Sequence, residues 1–328
     1  MKGEKEEMNP KIIICDCDHK DVEPERAVFD AARFDFKWLR CATQDEVIEK
    51  CQGAICFLNQ YAKMDEKIFK NIPTLKFISR YGVGVDNVNL DDATKYGVLI
   101  GNVPDYGTNE VADHAVSLML SLTRKTYMVA NMTRAGLWNY AETIPVHRLS
   151  VRTVGIIGAG RIGSAFASRV RAFGCRVIAY DVRHGKQNFL SHDFVEYKKT
   201  VDEVFTEADI LSLHCSLNED NQKIMNAENF AKMKDGAFLI NVSRGGLVDE
   251  IALFAALESG KLAGAGLDVA AIEPLSKDSP LFRHKNLIVT PHMAWYSEES
   301  SIELKRKCAE EAVRFIRGEQ IHYPVNRV

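Results

Sequence analysis

The chain has no C-x-x-C pair among its eight cysteines, no long apolar run and almost no net charge. Each absence closes off a class of function. Forty-two Lys and Arg against 45 Asp and Glu leave a net charge of −3, so there is no basic footprint for nucleic acid and no polybasic signal for a membrane surface. Apolar runs such as Ala115–Leu122, itself broken by serines, fall far short of the roughly 18 residues that span a bilayer. With 9 Pro and 21 Gly in 328 residues, collagen-like and low-complexity readings fail. The start, MKGEKEEMNPK, is charged and lacks an apolar core segment. It reads as a frayed tail before the first strand rather than a secretion signal, and a cytoplasmic protein is expected. The cysteines at 15, 17, 41, 51, 56, 175, 215 and 308 mostly sit in apolar stretches and are expected to be reduced, buried small hydrophobes. Cys15-Asp16-Cys17-Asp18-His19 has ligand-type side chains, but the run also completes a strand and no distant ligand set accompanies it, so no metal is expected.

What remains is an ordinary globular mixture, 46% hydrophobic and 27% charged, long enough for about two domains. From Lys11, short apolar runs recur: KIIICDC, WLRCA, GAICFLN, KFISRYG and GVLIGNV. Helix-like stretches separate them at Pro24–Arg33, Gln44–Cys51, Asp65–Lys70 and Asn89–Lys95. This alternation predicts a parallel sheet covered by helices. A long helical pattern then runs from Glu110 to Lys125, a second segment reaches about Gly136, and a loop with Trp138 follows. A second βαβ series begins at Thr153, with strands expected in VGIIGAG, CRVIAYD, ADILSLH, GAFLINV, GAGLDV and NLIVTP. Helices are expected at Asn226–Met233, Asp249–Ser259 and Glu298–Arg317.

Gly158-Ala-Gly160-Arg161-Ile162-Gly163 is a G-x-G-x-x-G placed between an apolar strand and an amphipathic helix. Gly158 permits the tight turn, Gly160 lets the backbone approach a pyrophosphate, and Gly163 lets helix and strand pack closely. The diphosphate would sit on the unpaired N–H groups of the helix start. Asp181, eighteen residues after Gly163 at a strand end, suits the hydroxyls of an adenosine ribose and would repel a 2′-phosphate. NAD (NADH) is therefore the expected cofactor. Arg183 next to it could welcome such a phosphate, which leaves NADP as the weaker choice.

Three groups in the second half suit carbonyl chemistry. Arg244 follows the apolar run Ala237–Val242, where open α/β sheets bind ligands, and a guanidinium fork suits a carboxylate with its neighbouring carbonyl. Glu273-Pro274 follows GLDV, and Thr290-Pro-His292 follows NLIV. A carboxylate beside an imidazole favours the protonated ring, which can give a proton to a carbonyl oxygen as hydride reaches carbon. No other histidine shows a comparable partner. His114 beside Asp113 comes nearest and reads as helix packing or domain-interface polarity.

The ordered set GAGRIG, Asp181, NVSRGGLVD, GLDV, EP and TPH resembles the D-isomer-specific 2-hydroxyacid dehydrogenases, as do RYGVGVDNV from Arg80 and NVPDYGTNEVAD from Asn102. The resemblance covers Lys11 to Gly318. TPHMAWYS, with Trp295 and Tyr296, is similar to the C-terminal-binding-protein-like branch. The resemblance implies an α/β fold of two doubly wound parallel-sheet domains with an interdomain cleft: a flavodoxin-like substrate domain, 1–104 with 298–328, and a Rossmann NAD-binding domain, 105–297. It implies Arg244, Glu273 and His292 as the catalytic set, with His292 giving the proton, Glu273 holding its charge and Arg244 orienting the substrate. It adds Arg161, Ile162, His214, Ser243 and Asp268 to the cofactor site, Asp268 facing the nicotinamide carboxamide. It places Tyr81, Val83, Gly84, Arg244 and Trp295 around the substrate, with backbone N–H groups near Val83 and Gly84 on its carboxylate. Glu110–Lys125 and the loop after it resemble the arm that makes family dimers, so a homodimer is expected. One departure stands out: Ser216 in His214-Cys-Ser-Leu217 replaces the proline usual there and restores a backbone N–H.

Two readings of function follow. One is an NAD-dependent dehydrogenase exchanging hydride with C2 of a small 2-keto or 2-hydroxy acid, with no nucleic-acid or membrane partner. The other is an NAD(H)-sensing regulatory dimer, which the branch resemblance permits and the short flanking segments disfavour. A formate dehydrogenase lacks support, since Glu273 stands where that branch carries an amide. A phosphorylated substrate would want extra cations, for which Arg80 and Lys63 are the candidates.

Overall fold

The computed structural model describes residues 12–187 and 189–328. The tail expected before the first strand, and Lys11 at that strand's start, lie outside them. The chain divides into two compact units, 1–107 with 297–328, and 108–296.

The first unit begins β1 (Ile12–Ile14), α1 (Glu23–Ala32), β2 (Phe36–Trp38), α2 (Gln44–Lys50) and β3 (Cys56–Asn59). It continues α3 (Glu66–Asn71), β4 (Phe77–Arg80), α4 (Leu90–Lys95) and β5 (Leu99–Gly101). Its described strands form a five-stranded sheet in the order β2-β1-β3-β4-β5, every pairing parallel. β1 and β3 are buried along their whole length, which explains why they read as continuous apolar runs rather than alternating ones. Thr43, Asp65 and Asn89 accept backbone N–H bonds at the starts of α2, α3 and α4. The last helix of the chain, Glu298–Ile316, packs on α1, β3 and β4. Cys308 O accepts from Ser79 Oγ at 2.8 Å there, and Phe315 stacks on Phe77.

Asp16 explains the Cys15–His19 run. Its carboxylate accepts from the N–H groups of Gln60, Tyr61 and Ala62 and from Asn59 Nδ2, tying the end of β1 to the end of β3. Its charge is absorbed by the sheet itself.

The second unit opens with α5 (Thr108–Thr123) and α6 (Thr126–Arg134) and then alternates: β6 (Thr153–Ile157), α7 (Arg161–Ala172), β7 (Arg176–Tyr180), β8 (Val195–Tyr197), α8 (Val201–Glu207), β9 (Ile210–Leu213), α9 (Ala227–Lys232), β10 (Ala237–Asn241), α10 (Glu250–Glu258), β11 (Leu262–Leu267) and β12 (Leu287–Val289). The last helix, named above, is α11. Its described strands form a seven-stranded sheet ordered β12-β11-β10-β9-β6-β7-β8, again parallel throughout. The order reverses at β6/β9, the crevice where open α/β sheets take ligands. α5 packs on α7, β10 and β11 through Ala112, Ala115, Leu118, Met119 and Leu122.

Three details differ from the sequence expectation. β2 comes earlier than WLRCA, because Arg40 only bridges to Asp16. β8 and α8 were not expected. β8 is a three-residue edge strand with one buried position, too short to show a pattern. α8 did carry a signal, the capping box Thr200-x-x-Glu203, in which each side chain meets the other's backbone.

Candidate active site

The glycine-rich turn leaves β6 and enters α7. Gly158 adopts φ +91, and a Cβ there would stand 2.5 Å from Cys215 N. A Cβ on Gly163 would stand 2.1 Å from Gly158 O, so the first turn of α7 lies directly on the loop. Gly160, at the N-cap of α7, offers no side-chain cap, which leaves the first N–H groups of the helix to an outside acceptor. Arg161 is the first residue of α7, and Ile162 packs on the core below.

Asp181 follows β7 with its carboxylate 4% exposed. Arg183 covers it: Asp181 Oδ1 accepts from Arg183 N at 2.8 Å and Nε at 3.2 Å, and Oδ2 from Nη2 at 3.3 Å. The same guanidinium reaches the loop, with Nη2 at 3.0 Å from where a Cβ on Gly160 would lie. His214, after β9, has Nε2 2.8 Å from Ser212 Oγ, while its buried Nδ1 has no partner. Burial pushes its pKa down to about 3, so the ring is neutral. Ser243 N donates to Asn241 Oδ1 and its hydroxyl donates to Cys215 O, joining the ends of β9 and β10. An uncapped helix start behind a glycine turn, a recessed carboxylate at the end of β7 on one side of it and an orphaned ring nitrogen at the end of β9 on the other fit a dinucleotide such as NAD.

Arg244, Glu273 and His292 come together at the carboxyl ends of β10, β11 and β12. Asn241 shapes the first turn by donating from Nδ2 to Arg244 O at 2.9 Å. Arg244 Nη1 donates to Ser243 O. Gly245 then lets this turn touch the next one: a Cβ there would stand 1.9 Å from the carbonyl carbon of Ala270. This approach brings Arg244 alongside Glu273. Glu273 Oε1 accepts from Ala270 N at 3.0 Å, and Oε2 lies 2.6 Å from His292 Nδ1. Burial opposes charge on Glu273, but the hydrogen bonds from His292 and Ala270 and the charges of His292 and Arg244 outweigh it and hold its pKa below the usual value. With Nδ1 on the carboxylate, Nε2 is the nitrogen left to exchange a proton. His292 adopts φ 52, a left-handed conformation that costs a β-carbon-bearing residue free energy.

Asp268 is 1% exposed, and its carboxylate accepts from Thr290 Oγ1, Met293 N and Ala294 N. It thus spends much of its capacity on the segment that carries His292. Trp295 is half-buried against the core beside Ala294 and meets Tyr296 edge-on.

In the first unit, Val83 and Gly84 lie in the loop after β4, pinned by Asn102 Nδ2 donating to Val83 O at 2.6 Å. Tyr81 differs from expectation. It is 2% exposed, its N–H donates to Asn59 O and its hydroxyl to Glu25 Oε1 at 2.8 Å, so its polar groups serve the interior. Asp113 pairs with Arg169 of α7, which is helix packing as read, but the histidine reading needs correction. Carboxylates lie within 4 Å of His19, His114, His284 and His322 as well as His292. Sequence adjacency could not show partners brought in from other elements. Gly245 and Asn241 were also missed as shapers of the site, although both stand in the NVSRGGLVD run itself.

Among the described residues, no cluster of three or more His, Cys, Asp or Glu is placed to hold a metal, and no helix is long and apolar enough to cross a membrane.

Residues 116–294 match the family model described as D-isomer specific 2-hydroxyacid dehydrogenase, NAD binding domain. The D-3-phosphoglycerate dehydrogenase of Bacillus subtilis is 36% identical over 268 residues, 80% of this chain, and the match spans 50% of that relative's length. The glycerate dehydrogenase of Methylorubrum extorquens is 34% identical over 321 residues, covering 95% of this chain and 98% of the relative. A solved D-lactate dehydrogenase from Aquifex aeolicus, complexed with NAD and lactic acid, superposes with a TM-score of 0.83 at 27% identity, covering 94% of this chain and 96% of that one.

Proposed function

This chain belongs to the D-isomer-specific 2-hydroxyacid dehydrogenase family of NAD-dependent oxidoreductases, and on that premise we propose that it interconverts a small 2-keto acid and its D-2-hydroxy acid. The observation that carries the proposal is the 2.6 Å contact between His292 Nδ1 and Glu273 Oε2 beside Arg244. The Gly158–Gly163 turn and Asp181 would hold NADH, which when bound would supply a hydride for the substrate C2. His292 gives the proton from Nε2 to the carbonyl oxygen. Glu273, kept anionic, balances the imidazolium before transfer and orients the ring. Arg244 turns its guanidinium from its own Ser243 carbonyl to the substrate carboxylate and carbonyl oxygen. In the reverse direction His292 Nε2 takes the hydroxyl proton.

Asp181 supports NADH over NADPH, because a recessed carboxylate repels a 2′-phosphate. Arg183 beside it tempers that preference. The homodimer is proposed from an apolar surface on the second unit: Trp138 is 91% and Tyr140 80% exposed, with Leu137 and Ile144 beside them. Eight unpaired cysteines suit a reducing, cytoplasmic compartment.

The test is a panel of 2-keto acids, including glyoxylate, hydroxypyruvate and pyruvate, offered with NADH and NADPH and followed at the nicotinamide absorbance. Turnover on at least one member, lowered in Glu273→Gln, is the expected result. Tight NADH binding without turnover on any member overturns the enzyme reading and favours an NAD(H)-sensing regulator.

A further inference from the structure

Thr290, Asp268 and His114 form a chain of contacts that ends at the backbone of His292. Asp268 O accepts from His292 N at 2.8 Å, and its carboxylate accepts from Met293 N at 3.0 Å and Ala294 N at 2.8 Å. One residue therefore grips the segment on both sides of a left-handed histidine. Such a conformation costs on the order of 1–3 kcal/mol and persists where its surroundings over-determine it. The carboxylate takes a further bond from Thr290 Oγ1 at 2.6 Å. A threonine hydroxyl has one proton. Here that proton is committed to an anion at short range, so Thr290 Oγ1 must be the acceptor in its 2.9 Å contact with His114 Nε2. Nε2 thus carries a proton in either charge state of the ring. It also lies 3.6 Å from Asp268 Oδ1, a carboxylate 1% exposed that needs donors to compensate its burial.

We infer that His114 is a positioning residue for the reaction. From α5 it fixes the Thr290 hydroxyl onto Asp268, and Asp268 holds the loop in the conformation that brings the His292 ring to Glu273. The side chain acts through two intermediaries and touches no reacting atom. This inference rests on the reading of His292 as proton donor.

The experiment compares His114→Leu, His114→Gln, Thr290→Val and the Leu/Val double variant, with the keto acid that wild type reduces best. The glutamine amide can replace the Nε2–H donor, while leucine cannot. His114→Leu and Thr290→Val should each lower kcat about tenfold or more with KM for the keto acid little changed. His114→Gln should recover to within threefold of wild type. The double variant should lose no more than the worse single variant, because both break one relay. A protein-only readout accompanies these: the downfield proton of the short His292–Glu273 hydrogen bond should be lost in His114→Leu and kept in His114→Gln. Thermal midpoints serve as the folding control. If His114→Leu does not fold, Thr290→Ser against Thr290→Val makes the same comparison, with serine keeping the hydroxyl. Wild-type kcat in His114→Leu, failure of glutamine to rescue, or losses that multiply in the double variant would overturn the inference. Full turnover in His292→Asn would instead overturn the reading beneath it, and the two failures are thereby distinguished.

Discussion

His292 Nδ1 stands 2.6 Å from Glu273 Oε2, across nineteen residues and two strand ends, with the histidine backbone wound to φ 52. The strained residue is the one whose ring the proposed proton transfer needs aimed. The carboxylate that receives it is held anionic, and its other oxygen is fixed by Ala270 N.

That pairing makes the two residues unequal under substitution. Positioned proton transfer contributes about 10²–10⁴-fold to rate. His292→Asn, which keeps a polar group but has no acid or base that ionises near neutral pH, is expected to lose about that much in kcat. Glu273→Gln should lose less, because the amide still orients the ring but supplies no charge. NADH binding, measured by fluorescence, should stay within threefold in both. Equal losses in the two variants would show that charge on Glu273 is the whole effect.

Glu273 also predicts how stability responds to acid. Its folded pKa is held below the unfolded value of 4.5, so the folded state favours the carboxylate. The stabilisation is fully present above that unfolded value and is lost as pH falls through the folded one. The carboxyl is 38% exposed, so solvent screens the effect. The thermal midpoint of wild type should exceed that of Glu273→Gln near pH 7, and the gap should close below about pH 4.5. A gap independent of pH would mean the glutamine acts by packing alone.

Much of this arrangement was legible because it is local. Gly158 to Gly163 between a strand and a helix, and Asp181 at the next strand end, need only neighbours in sequence. Arg244, Glu273 and His292 were legible because each closes an apolar run, and parallel strands put those ends on one edge. What escaped depends on distant pairs. Thr290 meets His114 over a separation of 176 residues, and nothing near either residue marks the other. Gly245 reads as an ordinary turn glycine until Ala270 is placed against it. Tyr81 stands in a loop motif that suggests ligand contact, yet its hydroxyl turns inward because Glu25 is fully buried and needs a donor.

Cys215 lies beside the glycine-rich turn, where a reactive thiol would be consequential, but burial pushes its pKa up to about 11. At pH 7.5 about one molecule in three thousand would carry the thiolate, the species that reacts. Native protein should therefore consume an aromatic disulfide reagent at Cys215 far more slowly than a free thiol does, and Cys215→Ala should leave the native rate almost unchanged. A fast native reaction abolished by that substitution would mean the thiol is activated by a group near the turn.

On the proposed reading, Arg183 is the residue at which the two cofactors would differ. It pairs with Asp181 through its N–H, Nε and Nη2, and its side chain is 60% exposed, free enough to swing. NADH would need only the carboxylate, whose ribose contacts would replace the guanidinium. NADPH brings a 2′-phosphate that the carboxylate repels, and Arg183 is placed to answer it with a charge-assisted bond of about 1.5–3 kcal/mol. Arg183→Ala should then lower kcat/KM with NADPH by about tenfold or more while kcat/KM with NADH stays within threefold, widening the proposed preference for NADH. Equal losses with both cofactors would instead assign Arg183 to holding the loop after β7, and a gain with NADPH would mean that its pairing to Asp181 keeps the phosphate out.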